Sequence, residues 1–318
     1  MWKYIGLKEC NEFLLSLNLF DCKDEKKYIR TLYSISNNVE NNYKKYKIKK
    51  SNGKYRTIYE PSLLLKHIQR QILNNILNDR MISSYAKAYR RGSSLKDNAI
   101  VHQNKKIVLK LDISSFFDNI SFIDVYNSCF SIEFFPKSVG MLLTSLCIYN
   151  DYLPQGAPTS AFISNLVMRS FDEEIGSWCS LKNISYTRYS DDMTFSGDFD
   201  CKEVINKVRK MLSIKGLELN KDKIHVIKNS SCQKVTGIVV NNKVQVCSNY
   251  RKSIRQEIYY IKKYGLESHK KYRNILSSNR KYLNSLYGKV SYVLQINRDD
   301  KEFIDYKNYL LKLLKDNL

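Results

Sequence analysis

YTRYSDDMTF, residues Tyr186 to Phe195, sets two carboxylates side by side at Asp191 and Asp192, with β-prone and aromatic residues on both sides. Adjacent aspartates repel, and a hairpin tip more commonly carries Asn-Gly or Asp-Gly to suit its turn. A solvated acidic turn is the ordinary account of such a pair. The other account needs a cation between the acids and their surroundings, and so requires further acids elsewhere in the chain to converge on the same place.

One such acid follows from strand periodicity. In KIVLKLDISSFF, residues Lys106 to Phe117, Ile107, Leu109, Leu111 and Ile113 alternate onto one face while Val108, Lys110 and Asp112 take the other. Asp112 is therefore expected to leave its strand on the side away from the core. ISYTRYS leads into Asp191 and MTFSG leads away from Asp192, which puts the carboxylate pair at or beside a hairpin tip.

Outward from these strands the pattern alternates between helix and sheet. Residues 1 to about 47 read as helical, with Phe13, Leu14, Leu17 and Phe20 at helical spacing. KKSNGKYRTIYEP places β-prone segments on either side of Asn52-Gly53, a hairpin signal. Leu64, Ile68, Ile72 and Ile76, four apart, mark an amphipathic helix from Ser62 to about Asn78, and another helix is expected from about Val204 to Leu212. GLELNKDKIHVI and KVTGIVVNNKVQV give further strand and turn signals. The fold class expected is α+β, a mostly antiparallel sheet with helices on one face.

Composition narrows the function classes. With 318 residues, 43% of them hydrophobic, and only 11 Gly and 4 Pro, the chain can bury a large core and is expected to form one continuous globular unit with subdomains. Lys plus Arg number 53 against 31 Asp plus Glu, a formal charge of +22 that favours an anionic polymer as partner. Nucleic acid leads over a membrane surface, because no apolar run of about 18 residues occurs and FLLSLNLF is too short to span or to act as a secretion signal. A cytoplasmic location with no membrane partner is expected. The eight cysteines and four histidines are scattered without zinc spacing, so the thiols are expected reduced and mostly buried, and metal chemistry has to use carboxylates. After about Ser248, Lys and Arg interleave with Tyr259, Tyr260, Tyr264, Tyr272, Tyr282 and Tyr287 in a helical pattern. That segment suits phosphate neutralisation with stacking, and equally a packed helical bundle with solvated lysines.

Phosphoryl transfer to a 3′ hydroxyl uses two divalent cations about 3.5 to 4 Å apart, and magnesium takes oxygen ligands. Asp112 on one strand and Asp191 at a neighbouring hairpin are suited to supply them. The ions would cancel the repulsion that makes the Asp191–Asp192 pair unusual.

LDISSFF, LPQGAPTSAFISN, YSDD and GLELNKDK occur in the order of the successive palm motifs of reverse transcriptases, and the chain resembles the bacterial retron type in particular. The resemblance runs from about Lys54 to the C-terminus. NAIVH (Asn98, Ala99, His102) resembles the retron N-A-x-x-H element, and VTG (Val235, Thr236, Gly237) resembles the element after the palm. Together they argue against a group II intron maturase.

The resemblance implies a right-hand polymerase fold. It would comprise an N-terminal helical region (1–47), fingers (48–105), an antiparallel-sheet palm (106–248, with an inserted finger segment near 119–152) and an α-helical thumb (249–318). It implies RNA-templated DNA synthesis from dNTPs, with Asp112 and Asp191 as principal ligands of two Mg2+ ions, Mn2+ being a substitute. Asp192 supports the site, and the Ile113 carbonyl also faces a metal. Phe117, five residues after Asp112, falls where an aromatic stacks beneath the sugar and excludes a 2′ hydroxyl. Gln155 and Gly156 are expected to line the nucleotide pocket, the glycine allowing close approach of backbone to ligand. Arg56 and Lys54 grip the triphosphate, and Lys223, or its neighbour Lys221, protonates the departing pyrophosphate.

For RNA, the resemblance assigns Asn98, His102, Val235, Thr236 and Gly237, while the basic thumb pattern adds Lys262, Lys263, Lys270 and Lys271. A retron enzyme starts from the 2′ hydroxyl of a guanosine in a cognate noncoding RNA and makes branched RNA-linked single-stranded DNA (msDNA). Its locus commonly adds an effector protein that acts in antiphage defence. Two positions depart from the family pattern, Ser190 for Ala before the aspartates and Ala161 for Pro in PTSAF. No ribonuclease H or endonuclease domain is expected after the thumb. Two alternatives are an abortive-infection-type reverse transcriptase that extends without a template and a noncatalytic RNA-binding scaffold, the latter disfavoured because all three acids are present.

Overall fold

Two helices, α1 (Leu7–Ser16) and α2 (Glu25–Asn37), open the chain in the computed structural model, which describes residues 5–49, 53 and 55–316. Asp24 caps α2 by accepting the Lys27 N–H at 3.0 Å. Helix ends earlier than the expected residue 47: after a short 3₁₀ turn at Val39–Asn42, β1 (Tyr43–Lys49) begins. It pairs antiparallel with β2 (Tyr55–Pro61) along its whole length, from Tyr43 opposite Pro61 to Lys49 opposite Tyr55, and this pairing overrides the helix preference of its lysines. Asn52 and Lys54 lie outside the described residues.

Ser62 caps α3 (Leu63–Ile72), which runs into a single π turn at Leu73–Leu77. Leu65, Ile68, Ile72 and Leu77 are buried, whereas Leu64 is 41% exposed and Ile76 half-buried. The stripe therefore differs from the expected fourfold spacing. The wider turn adds a residue, and the phase moves from Ile76 to Leu77.

Helix α4 (Leu95–Ile100) starts with a Ser94–Asp97 capping box and is followed by β3 (Ile107–Asp112). Four helices come next: α5 (Phe122–Cys129), α6 (Lys137–Cys147), α7 (Ser160–Val167) and α8 (Arg169–Leu181). The hairpin strands β4 (Ser185–Tyr189) and β5 (Asp192–Gly197) lead to α9 (Cys201–Ile214) and β6 (His225–Lys228). These strands form a sheet in the order β4–β5–β3–β6. Three short strands, β7 (Lys234–Val235), β8 (Ile238–Val239) and β9 (Gln245–Val246), pair antiparallel. The chain ends in α10 (Ser248–Tyr264), α11 (Leu266–Tyr272), α12 (Asn279–Ile296) and α13 (Lys301–Asp316).

The chain divides into two compact units. The first comprises Met1–Ser93, Lys110–Thr194 and Phe199–His225; the second comprises Ser94–Leu109, Phe195–Asp198 and Val226–Leu318. Residues from Val226 onward join the C-terminal helices because Val235, Ile238 and Val246 share one apolar core with Ile254, Leu283 and Leu286.

Strand β3 is interior to its sheet, and both of its faces are covered. Val108 is as buried as Leu109, and Asp112 is 6% exposed. The expectation that Asp112 points away from packed structure is thereby corrected: its alternation is right, but the second face is enclosed too. All eight cysteines are free; Cys129, Cys147 and Cys179 are buried and Cys232 is exposed. No helix among the described residues is long and apolar enough to cross a membrane.

Candidate active site

Asp112 ends β3, and Asp191 sits in the tight turn joining β4 to β5. Main-chain bonds hold the two in place: the Ile113 N–H donates to the Asp191 carbonyl at 3.1 Å, and the Asn220 N–H donates to the Asp112 carbonyl at 2.8 Å. Ser190 takes a left-handed backbone, φ +61°, to make the turn, and its Oγ lies 3.3 Å from the Tyr89 hydroxyl. Both acids open on a cavity of about 740 Å³ within the first unit.

Burial raises the Asp191 carboxyl above its ordinary value, and the like charge of Asp112 adds to this against the pull of Lys223 and Arg56. Asp192 heads β5, does not line the cavity, and is likewise raised mainly by burial, with Lys110 opposing. Lys223 supplies the compensating charge. The 3₁₀ turn Lys221–Lys223, capped by Asn220, brings its Nζ within 2.9 and 2.8 Å of the two Asp112 carboxylate oxygens, a contact that raises the lysine's own pKa. Of the two candidate lysines, Lys223 lines the cavity and Lys221 does not.

Another wall comes from β2, with Tyr55, Arg56, Thr57 and Tyr59, and from Gln155. Phe117 lines the cavity in edge-on contact with Phe116, ring centres 5.3 Å apart. Gly156 has a different role from the one expected. At φ +123° it lies against β2, where an added Cβ would fall 2.7 Å from the Tyr59 carbonyl oxygen and 2.8 Å from Ile58 Cγ2. The glycine admits the close approach of β2, and the Tyr59 N–H donates to the neighbouring Gln155 carbonyl at 2.8 Å; Gly156 itself does not line the cavity. Lys54 falls outside the described residues.

Behind the turn lies a polar network that the motifs did not reveal. Arg188 on β4 is fully buried, with Nε and Nη2 on the two Asp172 carboxylate oxygens at 2.8 and 2.6 Å. Its Nη1 donates to the Ser190 carbonyl at 2.9 Å, and Nη2 also reaches Asn165 Oδ1 at 3.2 Å. Asn165 in turn donates to the Ala88 carbonyl, and the Tyr186 hydroxyl donates to Asp172. The available sequence signal was Arg188 sharing a strand face with Tyr186, which local pattern reads as surface charge.

Among the described residues no group of three His, Cys, Asp or Glu side chains forms a ready metal cluster. The donor set at the cavity nevertheless fits a hard cation. Two carboxylates and Ile113 share a wall, the carboxylate acceptors are oxygen, and the Lys223 ammonium already neutralises Asp112.

The expected RNA residues lie in the second unit. Asn98 and His102 are buried, Asn98 bonded to Thr236 Oγ1 at 3.4 Å and His102 Nδ1 lying 2.7 Å from Ser196 Oγ. The two retron-like elements thus meet each other, with Ala99 and Val235 in one core beside the Thr236–Gly237 turn. Direct RNA contact by Asn98 or His102 does not fit this burial. Lys270 is also buried, its Nζ bonded to Asn279, so it too departs from the exposed phosphate contact expected. Lys262, Lys263 and Lys271 are exposed, Lys262 standing over the Tyr306 and Tyr309 rings and Lys263 over Tyr259 and Tyr264. Tyr282 belongs to the core, as the packed-bundle account expects, whereas Tyr259, Tyr264 and Tyr272 are exposed.

The sequence profile described as "Reverse transcriptase (RNA-dependent DNA polymerase)" matches residues 48–240. The Retron Ec86 reverse transcriptase of Escherichia coli is 31% identical over 239 residues, covering 73% of this chain and 74% of that protein. The Retron Ec83 reverse transcriptase of the same organism is 34% identical over 239 residues, covering 69% of this chain and 76% of that protein. Among solved structures, apo telomerase from Candida tropicalis, truncated from its C-terminal domain, superposes with a TM-score of 0.47 at 14% identity, covering 66% of this chain and 55% of that chain.

Proposed function

The chain belongs to the retron-type reverse transcriptases, RNA-directed DNA polymerases, and from that premise we propose how its residues perform the reaction and what they make. One observation carries the reading: Asp112, at the end of β3, and Asp191, in the β4–β5 turn, open on one recess together with Lys223 and Arg56. The recess is the site where a primer hydroxyl meets a dNTP. Asp112, Asp191 and the Ile113 carbonyl would hold two Mg2+ ions, replaceable by Mn2+, with Asp192 as a supporting charge. When bound, such ions activate the attacking hydroxyl and neutralise the leaving pyrophosphate.

The protein's own groups do the rest. The Arg56 fork binds the triphosphate, assisted by Lys54, and Gln155 borders the nucleotide. Phe117 packs beneath the sugar and excludes a 2′ hydroxyl by steric clash, which selects dNTPs. Lys223, whose Nζ stands 2.8 Å from an Asp112 carboxylate oxygen on the wall of the recess, gives its proton to the departing pyrophosphate. In right-hand terms β1, β2 and the segment to about residue 105 serve as fingers, β3 to β6 as palm, and α10 to α13 as thumb.

Family membership supports the wider reading. The enzyme binds a cognate noncoding RNA, primes from a guanosine 2′ hydroxyl and leaves branched msDNA in the cytoplasm, where an effector from the same locus uses the complex in antiphage defence. Lys262, Lys263 and Lys271 contribute phosphate contacts, and VTG shapes the surface that meets the RNA. Sequencing the nucleic acid that copurifies with the protein tests this. A branched RNA–DNA with one fixed 5′ DNA end is expected from the parent. Asp191→Asn should lose DNA synthesis by several orders of magnitude while retaining the RNA. Near-parental extension by Asp191→Asn refutes the site, and unbranched DNA refutes the retron product.

A further inference from the structure

A cavity of about 700 Å³ lies wholly within the second unit and shares no residue with the candidate active site. Helix α4 forms one of its walls. One face of α4 carries the buried Asn98 and Ala99, with His102 just beyond; Lys96, Ile100 and Gln103 line the cavity from another face. The spacing of four and then three keeps those three residues on one side. The buried half of NAIVH therefore fixes a helix that presents different side chains to an open recess.

The remaining walls come from the β8–β9 turn, the start of α10 and the α12–α13 connection. Ile100, 51% exposed, supplies the open apolar surface, and the buried Val244 and Ile296 border the recess behind it. Amides stand among them. Gln103 donates to the Asn242 carbonyl at 3.1 Å and Asn297 to the Val244 carbonyl at 3.2 Å, and Asn297 Oδ1 is a buried acceptor without a partner among the described residues.

The cations of the cavity fall into two groups. Arg251 pairs with Asp300 at 2.6 Å and Arg255 pairs bidentately with Glu302, and both guanidiniums lie over the Phe303 ring. Those two stiffen the wall. Lys96, Lys243 and Arg298 make no ion pair among the described residues and remain available to an anion.

A recess of this size suits a single small ligand rather than a duplex groove. Apolar surface with interspersed amides fits a flat base with polar edges, and unpaired cations fit its phosphates. A bare inorganic anion has no use for the apolar surface. We propose that this recess holds one unpaired nucleotide of the RNA partner, its base against Ile100 and its flanking phosphates on Lys96, Lys243 and Arg298. The proposal rests on the reading that the chain binds a cognate RNA. It assigns the base-dependent part of that recognition to residues outside both retron-like elements' buried side chains.

The test measures binding of the copurifying RNA, transcribed in vitro, to the full chain across a KCl series. Ile100→Trp fills the recess and should weaken that RNA about tenfold, the value of one stacked base, with the salt dependence unchanged. Lys96→Gln, Lys243→Gln and Arg298→Gln together should flatten the slope of log K against log salt by about 2. Both variants should melt like the parent and extend an unrelated annealed primer–template at the parental rate. The charge variant, at exposed Lys243 and Arg298 and half-buried Lys96, keeps the test valid should Ile100→Trp misfold. Parental RNA affinity in the folded Ile100→Trp protein, or an unchanged slope in the triple variant, overturns the proposal. So does a mononucleotide that binds the parent but not Ile100→Trp and displaces no RNA, which would identify a free nucleotide as the occupant. Loss of an acidic peptide partner with RNA binding intact would overturn it in favour of a protein contact. Absence of RNA binding by the parent refutes the function reading instead.

Discussion

Arg188 and Asp172 form an ion pair in which neither side chain is exposed to solvent, with Nη2 2.6 Å from Oδ2. The same guanidinium holds the carbonyl of Ser190, the residue before Asp191. A buried charge whose partner is removed is left uncompensated, so Arg188→Ala should cost about 3–5 kcal/mol, read from the denaturant midpoint. Arg188→Lys keeps the charge but has no planar fork with which to serve Asp172, Asn165 and Ser190 together. It should lower kcat for extension with KM for dNTP little changed, because the turn and not the nucleotide contact is disturbed. Parental kcat in folded Arg188→Lys would show that the network only stabilises the fold.

The raised Asp191 carboxyl makes function and stability oppose one another. An acid whose pKa is higher in the folded than in the unfolded chain costs stability as pH rises from the unfolded value through the folded one, and the full cost remains above both. In chelator, Asp191→Asn should therefore be more stable than the parent at pH 7. The advantage should shrink as pH falls through the raised range and vanish below the ordinary carboxylate value, where the parent is protonated too. Denaturant midpoints at several pH values check this, and an advantage that grows on acidification contradicts it.

Gly156→Ala should cost about 1–3 kcal/mol, because its left-handed backbone and the Tyr59 carbonyl both resist a Cβ. Since β2 must shift to accommodate the methyl and β2 carries Arg56, KM for dNTP should rise with the loss of stability. Thermal melting and steady-state extension together test the link. A stable variant with an unchanged KM would place the glycine outside the nucleotide wall's support.

Asn98→Ala and His102→Ala should act through folding. Each removes a bond made by a buried side chain, to half-buried Thr236 or to buried Ser196, at a cost of about 1–3 kcal/mol, the larger for His102→Ala. Binding of cognate against scrambled RNA, normalised to folded protein, should keep the parental ratio below the melting transition. A changed ratio in a fully folded variant would make these side chains RNA readers.

Local sequence determined much of this protein. The order of its motifs identified the polymerase, period-two alternation placed Asp112 on the face opposite Leu111, and the hairpin signal set Asp191 at the turn. Fourfold spacing announced the helix that begins after Ser62, because such a pattern depends only on residues a turn apart. Tertiary structure decided the rest. Whether Arg188 is a solvated charge or the buried prop of the turn depends on Asp172 and Asn165, which arrive from α7 and α8. Lys223 rather than Lys221 reaches Asp112 because a 3₁₀ turn aims it there, and Asn98 meets Thr236 across a separation of 138 residues. Propensity and periodicity act over a turn or a strand. The burial of a polar group is settled by which distant segments pack around it, since only they can supply the partners that offset its lost hydration.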